Sequence, residues 1–99
     1  MKNYKALVYN EAKADYNEAL KYYQNVSSAV AKKFRNAVAA AIKDIQKNPF
    51  YEVKYDDFRL KLVKKFLYLI HYIVNENDNT LYIYGIRNTS KDPNTSYFK

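Results

Sequence analysis

Four cations crowd the first half of a stretch that contains no acid. Between Phe58 and Asn75 stand Arg59, Lys61, Lys64 and Lys65, with no Asp or Glu among them. Arg59 and Lys61 alternate with Phe58, Leu60 and Leu62, so a period of two puts both cations on one side of a strand and the apolar residues on the other. Cationic groups held side by side suit a phosphodiester, since they form charge-assisted hydrogen bonds to its oxygens and stabilise negative charge that builds up there. Twelve Tyr and five Phe supply aromatic surface, and nucleic-acid sites combine such rings with basic residues. The same alternation also describes a solvated edge guarded by Lys against aggregation. A second candidate follows the last apolar run: Arg87-Asn88-Thr89-Ser90-Lys91-Asp92-Pro93, a basic, polar loop at a strand end, where function often sits.

Other chemistries find little support. His71 stands alone in an apolar run, which reads as a packed residue rather than a catalyst. With one His, no Cys and no clustered carboxylates, no metal site is expected, and no cofactor. Asp56-Asp57 reads as a solvated loop. One Gly in the whole chain excludes a Gly-rich phosphate loop. An individual Tyr more often fills core or rim than meets a ligand; Tyr97 differs, lying in a polar tail without apolar pattern.

Ninety-nine residues make a single domain. Seventeen basic residues against ten acidic give a formal charge of +7, which favours an anionic partner as well as solubility. The absence of Cys fits a reducing compartment. Met1-Lys2-Asn3 leads straight into a strand pattern, with no signal peptide visible. The longest apolar run, Phe66 to Val74, is too short for a spanning helix, which needs roughly 20 residues. A soluble, cytoplasmic protein with no membrane partner is expected.

The elements that must position these residues follow from periodicity. Tyr4 to Tyr9 reads as a strand. Asn10 is the expected N-cap of a helix to about Gln24, with Glu11 in its first turn. Ser27 or Ser28 caps a second helix, whose stripe is Val30, Phe34, Ala37, Val38, Ala41, Ile42 and Ile45. Lys32, Lys33, Arg35, Lys43 and Lys47 lie off that stripe. Asn48-Pro49 ends the helix. Phe50 to Asp57 reads as a polar connector. Strands follow at Phe58–Val63, Leu67–Asn75 and Thr80–Ile86, the last two joined by the polar turn Glu76-Asn77-Asp78-Asn79. The expected fold is α+β: an N-terminal strand, an antiparallel helical hairpin, then a three-strand antiparallel meander, with the helices on one face of a four-stranded sheet. The apolar side of Phe58–Val63 is expected beneath the helices, leaving Arg59 and Lys61 on the open face.

The order of these pieces resembles the RelE/ParE superfamily of small toxins from bacterial type II toxin–antitoxin systems. Ala12-Lys13-Ala14-Asp15 opens the first helix and Tyr22-Tyr23 follows. Asn48-Pro49 ends the second helix, and Arg59 stands on a strand. Lys65-Phe66-Leu67-Tyr68 stands where members often have Lys-Phe-Pro-Tyr. Asn88-Thr89-Ser90-Lys91-Asp92-Pro93 stands where many have His-Thr-Ser-Arg-Asp-Pro. The resemblance spans nearly the whole chain. It implies a toxin that acts on translation or DNA topology: RelE-like members cut messenger RNA on the ribosome, and ParE-like members poison DNA gyrase. It also implies a cognate acidic antitoxin and a toxin–antitoxin hetero-oligomer. For a ribosome-dependent endoribonuclease, the resemblance makes Arg59, Arg87, Lys91 and Tyr97 the catalytic candidates. Lys54, Lys61, Lys64, Lys65 and Asn88 would then hold nucleic acid. Asn88 replaces a His, removing the best proton shuttle, and Lys91 replaces an Arg, losing the planar fork. Tyr97 could stand in for the shuttle only if the tail folds back. The long hairpin leans towards the ParE-like side, where RNA cleavage is not expected. A degenerate toxin fold serving as a protein- or nucleic-acid-binding module is the alternative. Replacing Arg59 by Ala is expected to relieve toxicity and leave the fold intact.

Overall fold

The computed structural model describes residues 3–89. The chain runs β1 (Lys5–Val8), α1 (Asn10–Val26), α2 (Ser28–Lys47), β2 (Val53–Tyr55), β3 (Phe58–Val63), β4 (Tyr68–Asn75) and β5 (Thr80–Asn88). Two helices pack on one face of a sheet ordered β1-β5-β4-β3-β2. The sheet is mixed: β1 runs parallel to β5, while β2, β3, β4 and β5 form an antiparallel series. It has five strands rather than the expected four. The extra strand is Val53–Tyr55, three residues of the Tyr-containing connector that pair with the start of β3. Three residues are too few for periodicity to reveal.

The helix boundaries have local causes. Ser27, extended at φ −173°, is the single residue between the helices, and its hydroxyl accepts from the Val30 N–H at 3.1 Å. The N-cap of α1 is Tyr9, one residue before the expected Asn10, and it makes no side-chain capping bond. Beyond Lys47 the buried Pro49 blocks a further turn.

Beneath the helices lies one apolar core. Ala12 and Ala19 of α1 and Phe34, Val38, Ala41 and Ile45 of α2 meet Val63, Ile70, Tyr72, Leu81, Ile83 and Ile86 of the sheet. Phe34 is fully buried and touches four other rings: Tyr16, Tyr23, Phe66 and Tyr68, with centroids 5.0–5.9 Å away. A β-bulge shapes the last strand. Tyr72 pairs with Ile83 but His71 with Gly85, so Tyr84 is an extra residue. The alternation of β5 therefore slips, and its inward residues are Leu81, Ile83 and then Ile86.

The register reverses the expected faces of β3. Arg59 lies opposite Tyr72, and Lys61 opposite Ile70; cross-strand partners share a face, and both partners belong to the helix-side core. Arg59 and Lys61 are thus on the helix side, and Phe58, Leu60 and Leu62 point the other way. The physical reason is that β4 is apolar on both faces. Leu60, Leu69 and His71 are all buried on the face away from the helices, so alternation in β3 alone does not say which face the helices take.

Candidate functional site

Arg59 and Lys61 sit at the margin of the core, where α2 has ended and the chain turns back through Pro49, Phe50 and Tyr51. The Arg59 Nε donates to the Tyr51 carbonyl at 2.6 Å, and its guanidinium lies 5.4 Å from the centre of the Phe50 ring. Lys61 reaches over the Tyr51 ring at 4.9 Å, donates to the Tyr51 hydroxyl at 3.1 Å, and pairs with Asp44 of α2 at 3.7 Å. The stems of both cations lie along apolar surface while their heads reach the rim. Behind them the Tyr72 hydroxyl donates to the Pro49 carbonyl at 2.8 Å. Burial holds the Tyr72 phenol well above its ordinary pKa, an effect that the nearby Arg59 partly opposes. Phe50 and Tyr51 are exposed, so this rim presents two rings and two cations as one patch. Phe50 to Asp57 carries no periodic pattern, so the sequence gives no signal for the placement of these rings.

The other predicted residues lie elsewhere. Lys54 of β2 donates to Glu52 at 2.7 Å, and this bond holds the Glu52 carboxyl below its usual range. Lys64 and Lys65 occupy the exposed turn between β3 and β4, where Lys65 and Leu67 both take left-handed backbone, φ 73° and 55°. A Pro, fixed near φ −65°, does not fit the conformation of Leu67, so this turn differs in shape from one built on Lys-Phe-Pro-Tyr. Arg87 lies opposite Leu69, on the face away from the helices. Two strand spacings and about four residues of rise put the Arg59 and Arg87 α-carbons on the order of 15 Å apart. Lys91 and Tyr97 lie outside the described residues.

Arg87 and Asn88 instead help line a cavity of about 590 Å³ between α1 and the end of β5, with Asp15, Glu18, Tyr22, Tyr23 and Tyr68. Parallel pairing with β1 stops at Ile83, so beyond it the outer edge of β5 is open to α1. Asp15 closes part of that edge by accepting the Ile86 N–H at 3.0 Å. The sole glycine, Gly85, stands here: a β-carbon on it would lie 3.2 Å from the Arg87 Nε and 3.4 Å from the Asp15 carboxylate. Burial and the neighbouring Tyr68 and Tyr22 hydroxyls raise the Tyr23 pKa, so its phenol stays protonated and able to donate. Residues far apart in sequence that marked the resemblance, Asp15, Tyr22, Tyr23, Tyr68 and Asn88, thus converge on one wall-and-floor arrangement.

Among the described residues, no group of three or more His, Cys, Asp or Glu is placed to hold a metal ion, and no helix is long and apolar enough to cross a membrane. Residues 8–93 match the family model described as ParE toxin of type II toxin-antitoxin system, parDE. The chain belongs to the ParE toxin family. No curated protein matches it in sequence. Among solved structures it is similar to a chain of the "Chromosomal ParDE TA system from P. aeruginosa", with a TM-score of 0.73 and 13% identity over 86% of this chain and 95% of that one. At that identity the likeness bears on the fold alone. The hairpin and sheet described above are therefore a ParE-family arrangement.

Proposed function

We propose that this ParE-family chain is the toxin of a type II toxin–antitoxin pair, that it arrests growth by binding DNA gyrase without cutting RNA, and that a cognate acidic antitoxin neutralises it in a hetero-oligomer. The disposition of the cations carries the choice of mechanism. Cleavage of a phosphodiester needs charged donors within hydrogen-bond reach of one phosphate, beside a group that moves a proton. Arg59 and Lys61 are engaged with Tyr51 where α2 has ended, while Arg87 lines the separate cavity beside α1. Asn88, where a His would be the natural shuttle, has no titratable group. A binding function asks none of these residues to converge. The net charge of +7 favours an acidic partner, and membership of a toxin–antitoxin family supports a dedicated one.

Expression of the chain without an antitoxin tests this reading. Growth arrest with induction of the DNA-damage response and intact messages is expected, together with inhibition of gyrase supercoiling by the purified protein. Codon-specific cuts in messenger RNA on programmed ribosomes would establish the nuclease mechanism instead. Normal growth at full expression would leave a binding module without toxicity.

A further inference from the structure

The solvent face of α2 carries five cations, and nothing in the proposed gyrase-binding mechanism assigns them a role. The helix holds Lys32, Lys33, Arg35, Lys43 and Lys47 against a single acid, Asp44. All five cations are exposed. At 100° per residue they fall within about 160° of the helix circumference, opposite the buried Phe34, Val38, Ala41 and Ile45. Asp44 lies at the margin of this face and is already engaged by Lys61. None of the five forms an ion pair with a described residue. The residues between them on α2 include Asn36, Ala39 and Ala40, which are exposed, and Gln46, which is half-buried and whose side-chain amide donates to the Tyr4 carbonyl at 3.0 Å, so nothing bulky holds a ligand away.

We infer that this face of α2 docks the phosphate backbone of duplex nucleic acid. From Lys32 to Lys47 the helix rises about 22 Å, the length of about six base pairs of duplex. The composition of the face selects among polyanions. An acidic protein segment that orders on binding must offset that ordering through buried anchors, and stable membrane anchoring adds inserted apolar groups to charge; this face offers no large exposed apolar side chain. Single strands are held by stacking on aromatic rings, and no aromatic residue lies on it. What remains is evenly presented positive charge, which suits a hydrophilic polyanion bound through release of its counterions and without sequence readout.

The test is fluorescence anisotropy of the full chain with a labelled mixed-sequence DNA duplex of 24 base pairs, titrated across potassium chloride concentrations. Binding is expected with a log–log salt slope of about −3.5 to −4.5 for four to five phosphates contacted. The variant K32E/K43E/K47E should flatten that slope by about 3 and weaken binding at least tenfold at low salt. The variant K5E/K13E/K21E reverses as many exposed charges on other elements and should retain the wild-type slope to within one. Circular dichroism confirms that both fold. Equal losses in the two variants would overturn the proposal, since net charge alone would then explain binding. So would binding to a poly-glutamate peptide, to anionic phosphatidylserine vesicles, or to the single strand at least as tight as to the duplex at the same salt.

Discussion

Arg59 shows how far one side chain's role depends on which face of its strand it leaves. On an open face it would be dispensable for folding. At the core rim, its Nε bond to Tyr51 and its stacking on Phe50 fasten the connector after α2. Arg59→Ala is therefore expected to cost about 1–2 kcal/mol, lowering Tm by roughly 5–10 °C, with Arg59→Lys in between because it keeps charge but not the planar fork. A melt of Arg59→Ala unchanged from wild type would return the residue to a purely functional role. Tyr72 gives a pH dependence. Its folded pKa lies above the ordinary 10.0, so above about pH 10 the unfolded chain sheds a proton that the folded chain keeps. Its contribution is complete below that pH and is lost progressively above it. Tm should fall from pH 9 to pH 11, and Tyr72→Phe should start lower, having lost the bond to Pro49, yet fall less steeply.

Elements were legible where a pattern ran long enough to have a period. The α2 stripe, a Ser cap at position 27 or 28 and the stop at Asn48-Pro49 could all be read from the sequence, because each rests on local chemistry; the structure selects Ser27. Capping predicts that Ser27→Ala costs about 1 kcal/mol and that Ser27→Asp does not, measured by denaturant midpoint. β2 was not legible, being three residues whose strand identity comes from pairing with β3. Nor was the bulge at Tyr84, since a local apolar pattern does not say where a ladder slips. The face of β3 failed for a third reason: with apolar residues on both sides of β4, polarity ceases to mark inside from outside. The turn between β3 and β4 holds local strain that sequence alone conceals. Leu67 is exposed and left-handed, so Leu67→Gly is expected to raise stability by about 0.5–1 kcal/mol. A lower midpoint would show that its side chain packs usefully.

At the scale of the molecule, the candidate site was legible as a list of residues but not as a place. Arg87 and Asn88 were picked out with Arg59, yet they belong with Asp15 and the tyrosines of α1, because the order of strands, which spacing does not encode, separates β3 from β5. A β-carbon on Gly85 meets the Arg87 Nε at 3.2 Å and the Asp15 carboxylate at 3.4 Å, a tight fit that the flexible end of Arg87 relieves by moving, so Gly85→Ala should leave stability within about 0.5 kcal/mol while displacing the guanidinium. Charge is the property most plainly global. The +7 balance was evident from composition, but its concentration on the outside of α2 becomes meaningful only once the opposite stripe is seen to be buried.

The pairing of the first strand with the last has a consequence for how such a chain is made. Lys5 meets Thr80, so β1 has no partner until some 75 residues later in synthesis. At about 5–20 residues per second it waits roughly 4–15 s. β5 is also the strand that joins β1 to the meander. A product cut short before Thr80 therefore lacks the piece that joins its two ends, and a cell that stalls in making this protein releases fragments with no complete sheet to act through.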